Sequence, residues 1–181
     1  YLNIINEILG TTYSSSYTST FLADMQKDYN AMIKSAEEYG GFYIGRYEMS
    51  KSSSNTAQSK KNSVALTADN DNTNVDMNGN RWYGLYAYGK KYTNTADSVV
   101  SSMVWGSQYD AMMRWMQDNG VDVTDNIGNN LNTGTTTGTS GTDIINNIYD
   151  IYGCHYEWTL EAYDTDGRVV RGRLLRGRRF T

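Results

Sequence analysis

Two carboxylates near the end of the chain, Asp150 and Glu157, flank Gly153, and the stretch between them also holds the chain's one cysteine, Cys154, and its one histidine, His155. A glycine bend lets main-chain carbonyls turn inward, and with two carboxylates it offers the hard oxygen donors that suit Ca2+. The same side chains serve equally well as acceptors for loop amides, a purely structural use, so both readings stand. A cysteine beside a histidine suggests a nucleophile with its base. Neighbours on an extended strand point to opposite faces and cannot readily share a proton, so Cys154 is expected to be a structural thiol and His155 an ordinary surface or core residue.

The same segment is rich in tyrosine. The chain carries 16 Tyr against 3 Phe, set among Ser, Thr, Asn and Gly. A large rigid ring with a polar tip, surrounded by small hydrogen-bonding residues, is the chemistry of recognition surfaces. Tyr149, Tyr152, Tyr156 and Tyr163 are therefore the expected ligand contacts, together with the loop 124–142. The alternative is that tyrosine fills half-buried strand positions.

Several elements must position these groups. From Thr18, Phe21, Met25, Tyr29, Met32, Ile33, Ala36 and Tyr39 recur at three- and four-residue steps until Gly40-Gly41, which predicts a helix with that stripe in the core. The period then changes to two: Phe42, Ile44 and Arg46 alternate with Tyr43, Gly45 and Tyr47, which predicts a strand up to Met49. A Ser/Asn/Lys/Asp loop region with a short strand at 64–66 is expected over 50–80. Helices are predicted at 82–91 and about 107–118, the second with Tyr109, Met112, Met113 and Met116 on one side as adaptable core. Residues 119–142 read as a long loop, functional or disordered. The expected architecture is α+β and loop-rich: an early helix, a strand pair near the joined ends, two further helices and a sheet.

The sequence Asn147-Ile-Tyr-Asp-Ile-Tyr-Gly-Cys-His-Tyr-Glu-Trp158, followed by Gly167-Arg-Val-Val-Arg-Gly172, resembles the signature of the formylglycine-generating enzyme, or sulfatase-modifying factor, family. That signature runs hydrophobic-Tyr-Asp-Met-x-Gly-Asn-x-x-Glu-Trp and then Arg-Val-x-Arg-Gly-Gly. The match holds at Tyr149, Asp150, Gly153, Glu157, Trp158, Arg168, Val169, Arg171 and Gly172. Gly41-Phe-Tyr-Ile-Gly-Arg-Tyr-Glu48 looks like the family's opening strand, and Val104–Trp115 looks like its Trp-bearing helix. The likeness thus spans roughly 40–172.

The resemblance implies a C-type-lectin-like fold, shared with the variable ligand-binding proteins of diversity-generating retroelements. It also implies a structural Ca2+ held by the side chains of Asp150 and Glu157 and the main-chain oxygens of Gly153 and His155. Two departures are Cys154, where the family has Asn, and the His155-Tyr156 pair; neither removes a side-chain ligand. Enzymatic members oxidise a substrate cysteine with a copper-bound cysteine pair that follows the Arg-Gly-Gly motif. Soft thiolates are what Cu(I) requires, and Cys154 cannot supply a pair, so no copper and no catalytic residue is expected in this chain.

Composition narrows the partners. Residues 168–181 hold six arginines and no acid, so the preceding 167 residues carry a net charge of −10 against −4 for the whole. An acidic body argues against nucleic acid as partner. No apolar run approaches the roughly 18 residues a membrane span needs. The expected organisation is a linker or the edge of a preceding segment at 1–17, the domain at 18–172, and an aberrant or basic tail at 173–181. Deleting one G from a permissible codon choice at that tail yields Arg-Gly-Gly-Cys-Tyr-Glu, which restores the family motif and predicts a shifted reading frame and a truncated domain.

The expected function is non-catalytic binding of a glycan or protein on another cell or particle, by a fragment of a bacterial or phage surface protein in an extracellular, cell-surface or virion setting. The rivals are an oxidase of the formylglycine-generating type whose cysteine segment lies outside this chain, and a structural domain with no ligand.

Overall fold

The computed structural model describes residues 18–53, 56–66, 81–91, 99–121, 136–139, 144–151, 157–163 and 167–171. The architecture is mixed helix and small sheet, of the α+β class. In chain order the elements are α1 (Thr18–Tyr39), β1 (Met49–Lys51), β2 (Ala57–Ser59), α2 (Arg81–Gly89), α3 (Gly106–Asp118), β3 (Ile144–Ile145), β4 (Ile148–Tyr149), β5 (Glu157–Tyr163) and β6 (Gly167–Arg171). Among the described residues the strands form three two-stranded sheets, each joining neighbours in sequence. Among the described residues no helix is long and apolar enough to cross a membrane.

The chain divides into two compact units, one of Tyr1–Ile44, Ser52–Gln58 and Leu66–Ser102, the other of Gly45–Lys51, Ser59–Ala65 and Met103–Thr181. In the first, α1 and α2 meet through a polar contact. The Asp28 carboxylate accepts from the Lys90 ammonium at 2.7 Å and from the Tyr86 hydroxyl at 3.0 Å. Lys90 also stands 5.5 Å from the centroid of the Tyr86 ring, and Tyr86 is buried. This junction decides which side of α1 is covered. Its half-buried positions include Asp24, Met25, Asp28, Met32 and Ser35, whereas Tyr29, Ile33, Ala36 and Tyr39 are exposed. The periodicity therefore predicts the helix correctly, but the stripe is not the core expected of it. The ion pairs Asp24–Lys27 and Lys34–Glu38 lie along the same helix.

The second unit has an apolar core. Tyr109, Met112, Met113 and Met116 of α3 pack with Ile145, Ile148 and Ile151, and Val104 and Val121 close the edge. The spacing of the four α3 residues places them on one face, as the sequence predicts. The helix starts where the Gln108 side chain accepts the Trp105 amide at 3.0 Å, half of a capping box. It stops in a Schellman turn: Gly120, with φ +82°, donates to Gln117 O, and Val121 donates to Met116 O. A left-handed C′ residue favours glycine, and the apolar residue after it packs back on the last turn, as Val121 does here.

Facing α3 is the hairpin β3–β4, paired antiparallel as Ile144↔Tyr149 and Ile145↔Ile148. Its two-residue turn, Asn146-Asn147, has φ of 47° and 66°. Positive φ at both central positions is the I′ geometry that matches strand twist, and asparagine tolerates it. β5 and β6 pair antiparallel from Glu157↔Arg171 to Tyr163↔Gly167, with an irregularity between Trp158 and Ala162. The Leu160 amide donates to Val104 O at 2.9 Å, which ties β5 to the approach to α3.

The strand expected over 42–47 does not form. Residues 42–45 are outside any ladder, and the first strand begins at Met49. The short strand expected at 64–66 is reduced to isolated bridges, Ser50↔Ala65 and Val64↔Thr136.

Candidate functional site

Asp150 follows directly on the Asn-Asn hairpin, and that connection sets its geometry. Its φ is 64°, its residue is fully buried, and its carboxylate oxygen Oδ2 accepts the Gly138 amide at 2.6 Å. A buried carboxylate on a main-chain N–H is a charge-assisted bond in a low-dielectric setting, stronger than a neutral one. Of the two uses that the sequence leaves open for Asp150, the structural one, a hydrogen bond to a loop amide, is present.

The turn that Asp150 grips is anchored from its other side too. Thr137 is fully buried. Its amide donates to Ser63 O at 2.8 Å, its carbonyl accepts the Asn62 amide at 2.9 Å, and its hydroxyl accepts the Ser63 amide at 3.2 Å while donating to Lys60 O. Residues 60–63 and 136–138 are thereby locked as one piece, with main-chain groups satisfied by main chain and one hydroxyl.

Tyr47 covers this piece. A side chain at Gly138, whose φ is +68°, would meet Tyr47 Cδ1 and Cε1 at 2.7 Å, so the ring lies directly against the glycine. The Ser59 hydroxyl accepts the Tyr47 amide and donates to its carbonyl, both at 3.0 Å. Beside it, the Tyr149 amide donates to Arg46 O at 2.9 Å. The Tyr47 and Tyr149 rings are 4.9 Å apart, inclined at 39°, and the Lys61 ammonium is 5.7 Å from the Tyr149 centroid. The result is a half-buried pair of aromatic rings, next to exposed Arg46, Lys60 and Lys61, on a main chain fixed from several directions.

Of the residues that the sequence singles out, Tyr149 and Asp150 are brought to this site. Gly153, His155, Tyr152 and Tyr156, with Cys154 and most of the loop 124–142, lie outside the described residues. Glu157 and Tyr163 sit on β5 opposite Arg171 and Gly167. Among the described residues, no group of three or more His, Cys, Asp or Glu is set to hold a metal. Tyr47 and Lys61 are the site residues that sequence reasoning does not find, and Gly138 falls within the expected contact loop 124–142 without being singled out. Tyr47 carries a signal only as part of an alternating run, and Gly138 only as one glycine of a Thr/Gly loop.

An open hollow of about 410 Å³ along α3 is lined by Ser107, Asp110, Ala111, Arg114, Trp115 and Asp118. These positions are the outward stripe of one amphipathic helix. Compared with known proteins, the chain matches no family model, no curated protein and no solved structure.

Proposed function

We propose that this chain is a non-catalytic ligand-binding domain of a bacterial or phage surface protein, with the C-type-lectin-like fold of the formylglycine-generating-enzyme family, and that its ligand is a glycan or protein on another cell or particle. The sequence signature from Tyr149 to Gly172 supports the family. The observation that carries the binding reading is the Tyr47–Tyr149 ring pair, 4.9 Å apart and half-buried on an immobilised main chain. Rings held in place before the ligand arrives lose little conformational freedom on binding, which favours affinity. Glycan-array and whole-cell binding by the folded chain tests the proposal. Retained ligand that is lost on Tyr149→Leu supports it; folded protein that binds nothing favours a structural domain instead.

A structural Ca2+ belongs to the same reading. The donors would be the Asp150 and Glu157 carboxylates and the main-chain oxygens of Gly153 and His155, a hard-oxygen set of the kind calcium takes. Asp150 fits in part: one carboxylate oxygen accepts the Gly138 amide, and an ionised carboxylate retains further lone pairs. Calcium at ten times its dissociation constant is expected to raise folding stability by about 1.4 kcal/mol through mass action on the native state. Thermal melts with Ca2+ and with EDTA check this. Identical melting temperatures would remove the ion from the proposal.

A further inference from the structure

We propose that Arg46, Tyr47, Lys61 and Tyr149 form one contact face for an anionic saccharide, a sugar bearing a carboxylate or a sulfate. The inference rests on the ligand-binding reading and narrows it to a place and a ligand class. All four residues belong to the second compact unit. The hydrogen bond from Tyr149 N to Arg46 O holds two of them side by side, and Lys61 stands by the Tyr149 ring.

The charge of this segment differs from that of the chain as a whole. Over residues 46–61 the chain carries Arg46, Lys51, Lys60 and Lys61 against Glu48, whereas the first 167 residues together sum to −10. Arg46, Lys60 and Lys61 are exposed, and Tyr47 and Tyr149 are half-buried. An aromatic ring packs against the C–H face of a pyranose, and a nearby ammonium or guanidinium meets the acid group on the sugar. The same residue types also suit single-stranded nucleic acid. A long polyanion, however, gains little from three cations on a chain whose first 167 residues sum to −10, whereas one or two acidic sugar units need only the patch itself.

The contact side chains stand on a prepared frame. The Ser59 hydroxyl binds both main-chain groups of Tyr47, and the buried Thr137 fixes the turn after β2 that carries Lys60 and Lys61. Lys61 itself is at the surface, so its charge can be reversed without disturbing the core.

The test is calorimetric titration of the whole chain with four probes: an oligogalacturonate, a sulfated galactan oligosaccharide, a neutral chito-oligosaccharide and an oligodeoxythymidylate. Saturable binding to one or both acidic sugars is expected, and it should weaken as salt rises. Preference between the first two identifies carboxylate or sulfate as the recognised group. Lys61→Glu, with an unchanged melting temperature, is expected to weaken that binding by about tenfold or more, through reversal of one contact charge. Tyr149→Phe should retain binding and Tyr149→Leu should lose it. The proposal is overturned if folded protein binds neither acidic sugar, if Lys61→Glu binds as well as the parent, or if the oligonucleotide binds more tightly than both. Binding to the neutral sugar or to a cell-surface protein, indifferent to Lys61→Glu, overturns this inference and leaves the ligand-binding reading intact.

Discussion

Gly138→Ala is expected to cost about 3 kcal/mol of folding stability, from a left-handed backbone worth about 1–2 kcal/mol and overpacking worth about 1–3 kcal/mol. The glycine has φ +68°, and the added methyl carbon would sit 2.7 Å from two ring atoms of Tyr47 and 3.1 Å from Lys61 Cγ. The lysine stem can swing away. The ring cannot move as freely, because the Tyr47 main chain is pinned by Ser59 and its ring also faces Tyr149. The two contributions separate in a double-mutant cycle. In a Tyr47→Ala background the clash is gone, and Gly138→Ala should then cost only the backbone part, about 1–2 kcal/mol. Urea denaturation of the four proteins gives the cycle. A single-variant cost below about 0.5 kcal/mol, the range of ordinary surface changes, would mean that the ring does not rest on the glycine. Equal costs in both backgrounds would mean that backbone conformation alone matters.

Why this contact escapes a reading of the sequence is physical. Local spacing reports which side chains share a face, and α3 was legible for that reason. Met112, Met113 and Met116 fall on one stripe, and Gly120 sits where a left-handed stop belongs. Spacing says nothing about what covers the stripe. In α1 the same pattern is present, yet Tyr29, Ile33 and Tyr39 are exposed because the helix meets α2 through Asp28. The alternation over 42–47 likewise reports sidedness and not a ladder. The Arg46 carbonyl takes one bond from Tyr149 of β4, and the main-chain groups of Tyr47 go to the Ser59 hydroxyl, so the segment is held by single bonds and not by a ladder.

The candidate site shows the same division. Tyr149 and Asp150 lie together in one contiguous stretch, which is why sequence reasoning singles them out. Tyr47, Lys61 and Gly138 come from three separated segments, and only the folded chain joins them. One local signal was there to be read: Ile144-Ile145-Asn146-Asn147-Ile148-Tyr149 places two asparagines between short β-branched and aromatic runs, the pattern of a two-residue hairpin. That turn sets where Asp150 begins.

Substitutions at Asp150 are expected to fall in a definite order, Asn mildest, Gly intermediate and Ala most severe. Asparagine keeps the size and a carbonyl oxygen that can accept the Gly138 amide, and it tolerates the observed φ of 64° better than most residues. Its cost is the charge on the acceptor, about 1 kcal/mol. Glycine accepts the backbone but removes the acceptor, leaving a buried N–H unsatisfied at about 1–3 kcal/mol. Alanine adds to that loss a left-handed backbone of about 1–2 kcal/mol, for a total of about 3 kcal/mol. Chemical denaturation ranks the three, and hydrogen exchange at the Gly138 amide reads the bond itself. Exchange should quicken in the glycine and alanine variants and change little with asparagine. If asparagine were as damaging as alanine, the negative charge and not the acceptor would hold the turn, as a calcium ion on the other carboxylate oxygen would require. If glycine and alanine were equal, the left-handed conformation of Asp150 would carry no strain, and the Asn-Asn hairpin before it would not be what sets its direction.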